Sequence, residues 1–181
     1  VVPYIPRANA ICETVFPPIL KAVRAARMNV FHVVGGGNAR YYANLPGYQH
    51  AVQLAGPPAQ PHPKAERDAV MEELVQFRRE NVYTGVHNEP DIDRGFKRLD
   101  FPAPARPLDS EGIAENGPQL FALCREKGIN HLIYIGFAIN WCLLVSPGGM
   151  AEMGYQYGLM CSTIRQATTA VENKESAEKQ T

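Results

Sequence analysis

Among the residues of this chain that could do covalent chemistry, Cys142 has the most suggestive surroundings. It follows Gly136 by six positions and precedes the apolar segment Leu143 to Val145. Before the glycine runs a continuous apolar stretch, Leu132 to Ile135, which predicts a strand buried on both faces. Glycine lets the backbone turn sharply after such a strand. The pattern therefore places Cys142 at the carboxyl end of a parallel strand, the edge where open α/β sheets bind ligands.

Two interpretations of Cys142 follow from its surroundings. A helix that begins beside a cysteine favours the thiolate form and offers N–H groups to an anion, so Cys142 could act as a nucleophile. Alternatively, Cys142 is a small buried hydrophobic residue, which is the commoner role of a free cysteine. The neighbouring Trp141 has the same two options, packing under the loop or facing a substrate.

The segment from Gly136 to Cys142, GFAINWC, resembles the G-V-A-T-N-x-C box of the isochorismatase-like cysteine hydrolases. That superfamily includes nicotinamidases and N-carbamoylsarcosine amidase. Other similar segments occur in the same order as in the family: Ile19 to Val30, Pro118 to Ile129, Gly154-Tyr155 and Arg165 to Glu172. The resemblance covers about two thirds of the chain, and the cysteine box is its specific part.

The resemblance implies a three-layer α/β/α sandwich with a mainly parallel, Rossmann-like sheet, formed by a single domain over residues 1–181. It also implies hydrolysis of a small amide-type or isochorismate-like substrate through a covalent intermediate on Cys142. In the family, a cysteine, an aspartate and a lysine act together. The N–H groups of Ala138 and Cys142 would form the oxyanion hole, and the peptide at the position of Phe137–Ala138 is often cis.

The sequence departs from the family pattern at three points. Ile139 replaces the threonine of the box. The family's first strand and its aspartate belong before the first helix, and we expect them upstream of Val1. The stretch 105–111, where the lysine is expected, contains no lysine, so Lys97 or Arg106 is the candidate basic partner. The alternative is a catalytically impaired relative that acts as a small-molecule binding or scaffold subunit.

Four side chains are predicted to bind the substrate. Asn140 and Trp141 belong to the cysteine box. Tyr41 and Tyr42 belong to a polar, aromatic segment that follows the strand predicted over 29–34. No metal ligand set is expected, because the histidines lack the close spacing of a metal site. No cofactor is expected either.

Composition narrows the class of partner. Lysine and arginine together equal aspartate and glutamate at 18 each, so the formal net charge is zero. Neither nucleic acid nor a membrane is therefore an expected partner. The four cysteines show no CxxC spacing, which favours free thiols and a cytoplasmic location. Family members commonly self-associate, so we expect a homo-oligomer.

Alternating strands and helices predict a parallel sheet with helices on both faces. We expect an extended segment over 3–7, a helix over 8–27 that splits near Pro17 and Pro18, and a strand over 29–34. Further on we expect a helix over 116–127, a strand over 157–162 and a helical or frayed tail over 168–178. Residues 56–107 are predicted to be a loop and helix insertion, serving as a lid or an oligomer contact.

Overall fold

The computed structural model describes residues 4–35, 39–58, 60, 63–64, 66–81, 86 and 89–171. The chain forms two compact units, residues 1–57 with 101–181, and residues 58–100. The helices of the larger unit are α1 (Tyr4–Thr14), α2 (Phe16–Ala25), α3 (Pro46–Ala55), α6 (Gly117–Lys127), α7 (Cys142–Val145) and α8 (Met150–Tyr155). Its strands are β1 (Phe31–Val33), β2 (Gly112–Ala114), β3 (His131–Phe137) and β4 (Met160–Thr169). The smaller unit contains α4 (Ala69–Asn81) and α5 (Glu89–Phe96).

The amino-terminal helix splits as its prolines predict. Val15 separates α1 from α2, and Pro17 and Pro18 lie in the first turn of α2. A first-turn proline costs no hydrogen bond, because the N–H groups there have no partner within the helix. The predicted extended segment over 3–7 is wrong for its described part, since α1 already includes Tyr4.

The fold is mixed α/β with parallel strands, but the four strands form two separate pairs. β1 pairs with β2, placing Phe31 beside Gly112 and Val33 beside Ala114. β3 pairs with β4. The predicted single sheet is therefore not formed among the described residues, where β1 and β3 each pair along one side only.

The end of β4 corrects a second prediction. The helical tail was expected from residue 168, but Thr168 and Thr169 belong to β4 and pair with Gly136 and Phe137 of β3. β-Branched residues suit a strand better than a helix, and here the pairing with β3 decides between the two. The register shifts between Tyr134 and Gly136, so β4 is irregular just before the end of β3.

Two apolar clusters connect the strands to the helices. One is formed by buried residues of α3, β2, α6 and α8, with Leu132 of β3 packed against it. The other joins α1 and α2 to Ala167 of β4, and Phe137 packs there by stacking on Phe16 at a centroid distance of 5.6 Å. The first cluster therefore packs against the amino-terminal part of β3, and the second packs against the carboxyl ends of β3 and β4.

Candidate functional site

The loop between β3 and α7 is closed by one carbonyl group. The Ala138 oxygen accepts hydrogen bonds from the Trp141 N–H at 3.1 Å and the Leu143 N–H at 3.0 Å. The Cys142 N–H lies between these two donors in the chain. The Phe137–Ala138 peptide is cis, as the resemblance implies. This single turn sets the backbone around the cysteine.

Two backbone N–H groups in this turn have no acceptor among the residues that the structure describes. Within the described part of the chain, neither the Ala138 N–H nor the Cys142 N–H donates a hydrogen bond. Ala138 is only 2% exposed, so its N–H also has little access to water. Buried backbone donors are nearly always paired in folded proteins. These two N–H groups are therefore available to an acceptor supplied by a ligand.

The Cys142 side chain is exposed, unlike the other three cysteines. Cys124 is buried, and burial raises the pKa of its thiol to about 11. Burial also raises the pKa of Cys12 and of Cys161. The interpretation of Cys142 as a buried hydrophobic residue is thus wrong. α7 begins at Cys142, but it is a single turn of four residues.

Asn140 ties this loop to the segment after β4. Its side-chain nitrogen donates to the Val171 carbonyl at 2.9 Å, and its oxygen accepts from the Val171 N–H at 3.0 Å. Beside it, the Ile139 N–H donates to the Thr169 carbonyl at 2.8 Å. The structure therefore gives Asn140 a positioning role, and its contact with substrate stays a prediction. Trp141 is half exposed at 49%, so it does not belong to the core.

Tyr41 and Tyr42 lie beside the first pair of strands. Tyr42 is fully buried, and its hydroxyl donates to Oε2 of Glu115 at 2.7 Å. The Tyr48 hydroxyl donates to Oε1 of the same carboxylate at 2.8 Å. Burial, followed by the hydrogen bond to Glu115, raises the pKa of Tyr42. Tyr41 packs edge-to-face on Tyr42 at a centroid distance of 4.9 Å.

Glu115 was not predicted from the sequence as a candidate site residue. It directly follows β2, so it stands at the carboxyl edge of a parallel strand, and two phenol donors hold its carboxylate. The only trace of this site in the sequence is an acidic residue directly after Gly112–Ala114. That strand, Gly112–Ala114, was not predicted because three residues with a leading glycine do not show a strand pattern.

The structure does not assign a basic partner to Cys142. Lys97 follows α5 in the smaller unit, where its N–H donates to the Asp93 carbonyl at 3.1 Å. Arg106 is exposed on the segment before β2, and its carbonyl accepts from Nη2 of Arg24 at 3.0 Å. Both stay candidates from the sequence alone.

A second group of ionisable side chains surrounds Glu111, which is 6% exposed. Nε and Nη2 of Arg24 donate to its two oxygens at 2.6 and 2.9 Å, and Nε2 of His32 lies 2.8 Å from Oε2. Burial alone would raise the Glu111 pKa, but hydrogen bonds from Arg24, the Leu108 N–H and His32 outweigh it and hold the pKa at about 2. Burial lowers the pKa of His32, and Glu111 offsets this only in part.

Within the described residues, no group of three or more histidine, cysteine, aspartate or glutamate side chains is arranged to hold a metal ion. In the same part of the chain, no helix is both long enough and apolar enough to cross a membrane.

Comparison with known proteins adds no family. No protein-family model, curated protein or solved structure matches the chain.

Proposed function

We propose that the chain is a cysteine-dependent hydrolase of a small amide-type or isochorismate-like substrate, with Cys142 as its nucleophile. The observation that carries this proposal is a pair of N–H groups, of Ala138 and Cys142, in the turn that presents an exposed thiol. Neither group has an acceptor within the described part of the chain. A thiol next to two free donors is the arrangement that covalent catalysis with an oxyanion hole requires.

For an amide substrate the chemistry has two stages. The Cys142 sulfur attacks the carbonyl carbon, and the negative charge that develops on the oxygen is held by the Ala138 and Cys142 N–H groups. The C–N bond then breaks, the amine leaves with a proton, and a thioester remains. Water attacks the thioester, the C–S bond breaks, and the acid and the thiol are released. One donor of such a hole is worth about 3 kcal/mol of barrier.

The fold proposed for this enzyme is the three-layer sandwich implied by the resemblance. Its support is that, within the described residues, β1 and β3 each pair along one side only, and that helices pack in two clusters against the strands. One further parallel strand between β1 and β3 would join the pairs into a single sheet. A homo-oligomer and a cytoplasmic setting belong to the same proposal, the latter supported by four free cysteines.

The test combines turnover with direct detection of the intermediate. The full chain is incubated with a panel of small primary amides, nicotinamide among them, while ammonia release and the intact protein mass are followed. We expect ammonia release and an acyl adduct on Cys142. Cys142→Ser should lower the rate by about 10³-fold or more, because a serine hydroxyl is far less acidic and less nucleophilic than a thiol. Cys12→Ser, which changes another incompletely buried cysteine, should keep the rate.

The absence of a lysine between 105 and 111 favours one alternative function. In this alternative the chain is a non-catalytic relative that binds a small molecule at the turn around Cys142. Iodoacetamide labelling at pH 7 distinguishes the two. A nucleophile should react faster than free cysteine in the same buffer, with Cys124 unlabelled. If Cys142 reacts no faster than free cysteine and no amide is turned over, this alternative replaces the enzyme proposal.

A further inference from the structure

The hydroxyl of Thr168 is buried beside the candidate site and is poorly satisfied by the protein. Thr168 is 8% exposed, and within the described residues its hydroxyl makes one hydrogen bond, a 3.5 Å contact with the Thr169 carbonyl. That carbonyl already accepts the Ile139 N–H at 2.8 Å. A bond of 3.5 Å lies at the outer limit for a hydroxyl donor, whose usual distance is about 2.7–2.8 Å.

The strand register places Thr168 on the face of the sheet that carries the cysteine turn. Thr168 pairs with Gly136, and paired residues of parallel strands direct their side chains to the same face. A Cβ on Gly136 would lie 3.6 Å from Cδ1 of Leu143, the residue after Cys142. Because Gly136 has no side chain, Thr168 alone of this residue pair directs a side chain towards that face.

Thr169 provides an internal comparison. It is also buried, and its hydroxyl makes a similarly long bond of 3.4 Å to the Ala170 carbonyl. However, Thr169 pairs with Phe137, whose ring stacks on Phe16 of α2, so it belongs to the opposite face. Two buried threonines with similarly long hydroxyl bonds therefore lie on opposite faces of the sheet.

We propose that Thr168 is a substrate-positioning residue, whose hydroxyl binds a polar oxygen or nitrogen of a small amide held at Cys142. The inference rests on the proposed function, since it takes the turn from Phe137 to Cys142 as the place where the substrate binds. A buried hydroxyl without a good internal partner gains most from a ligand atom, because its hydration has already been lost. Thr168 would then act together with the free N–H groups of Ala138 and Cys142.

The test measures KM and kcat of the full chain on the same panel of primary amides, with four variants. Thr168→Val removes the hydroxyl and keeps the shape, and we expect about a tenfold fall in kcat/KM. Thr168→Ser keeps a hydroxyl and should recover most of the activity. Thr169→Val should stay near wild type. Thr163→Val is the structural control, because its hydroxyl makes a good bond of 2.9 Å to the Tyr134 carbonyl.

Thermal unfolding of each variant separates positioning from folding. Thr168→Val should unfold within about 2 °C of wild type, whereas Thr163→Val should lose more stability while keeping its kcat/KM. If Thr168→Val matches the wild-type kcat/KM, or if Thr168→Ser is as poor as Thr168→Val, the positioning role is refuted while the hydrolase proposal stands.

A binding measurement covers the case of a chain without turnover. Protection of Cys142 from iodoacetamide by nicotinamide reports occupancy of the site directly. If wild type is protected but turns over no amide, the hydrolase proposal fails, and Thr168 is judged by whether Thr168→Val weakens the protection about tenfold. If wild type shows neither turnover nor protection with any amide of the panel, both proposals are overturned.

Discussion

At the scale of single residues, the best defined interaction in the larger unit is the one around Glu111. Its carboxylate is buried and has a pKa of about 2, so it is ionised throughout the physiological range and can only accept hydrogen bonds. The His32 Nε2 atom, 2.8 Å away, must therefore carry a hydrogen and act as the donor. Because Arg24 also donates to this carboxylate, a proton added to His32 would bring a second positive charge into the group.

This arrangement predicts that acid weakens folding in two steps. The His32 pKa in the folded protein is below its ordinary value of 6.5, so the folded state resists protonation and loses stability as pH falls below about 6.5. The Glu111 pKa is depressed from 4.5 to about 2, so its contribution is complete above about 4.5 and is lost as pH falls towards 2. Urea unfolding measured from pH 8 to pH 3 should show both steps.

Two variants separate the steps. His32→Asn should remove the loss between pH 7 and pH 5 and leave the one at lower pH. Glu111→Gln should cost about 2 kcal/mol or more at pH 7, because Arg24 then keeps a partly buried charge without its counter-ion. A His32→Asn variant whose stability still falls in parallel with wild type from pH 7 to pH 5 would contradict this account.

At the scale of elements, α3 packs directly on the backbone that leads into β2. Gly47, in the first turn of α3, is buried, and a Cβ there would collide with the Glu111 carbonyl oxygen. Gly47→Ala should therefore destabilise the chain by about 2 kcal/mol or more, because a backbone carbonyl has little freedom to move. Gly95→Ala in α5 is the matched control, since its Cβ would meet nothing within 4 Å.

Chemical denaturation of the two glycine variants checks this directly. Gly95→Ala should be neutral or stabilising by about 0.5–1 kcal/mol, because alanine favours a helix over glycine. Equal effects of Gly47→Ala and Gly95→Ala would mean that α3 does not approach the Glu111 backbone as closely as the structure shows.

The start of α6 makes a smaller and separate contribution. Asn116 is its N-cap, and Oδ1 accepts from the Gln119 N–H at 3.0 Å. Asn116→Ala should cost about 1 kcal/mol, while Asn116→Asp keeps an acceptor and should cost much less. The difference between the melting temperatures of the two variants measures the contribution of the cap hydrogen bond. Equal melting temperatures would mean that the lost stability does not come from this hydrogen bond.

Elements with strong local signals could be predicted from the sequence, and those defined by tertiary pairing could not. The helix over 116–127 has a capping asparagine and a closing Gly128 in the left-handed region, and the structure confirms it. The strand around 132–135 is confirmed and extends from His131 to Phe137. The prediction that it is buried on both faces is wrong, because Ile133 is 52% exposed. By contrast, β2 has three residues and exists through its pairing with β1. The same cause extended β4 to Thr169, where the sequence suggested a helix.

The candidate site, too, could be predicted only where its residues are contiguous in sequence. Its motif, from Gly136 to Cys142, could be located because it is contiguous in sequence. Its other contacts join residues that are far apart in the chain. They are the hydrogen bonds of Asn140 to Val171, the pairing of Thr168 with Gly136, and the hydrogen bonds of two tyrosine hydroxyls to Glu115. No local pattern contains such contacts, so the internal partners of Asn140 and Tyr42 could not be predicted, and the contact of both residues with substrate stays a prediction.

At the scale of the whole molecule, stability should be unevenly distributed between the two units. No described side chain of α4 is buried, and its apolar residues Leu74 and Phe77 are each 59% exposed. In α6, by contrast, five residues are buried, among them Leu120 and Leu123 at 1% exposure. An isolated helix of about 13 residues is only marginally stable in water, and α4 has little packing to stabilise it further. We therefore expect α4 to unfold locally.

Hydrogen exchange followed by mass spectrometry therefore should find the amides of α4 exchanging about 100-fold faster or more than those of α6, at protein concentrations near 1 µM. The reason is that α4 opens locally, whereas opening α6 requires the larger unit to lose its apolar cluster. Leu74→Ala supplies the control, since removing a side chain that is 59% exposed should leave both rates nearly unchanged. If α4 were as protected as α6, its apolar face would have to be covered in solution, and a protection that vanished on dilution would identify the cover as a second copy of the chain.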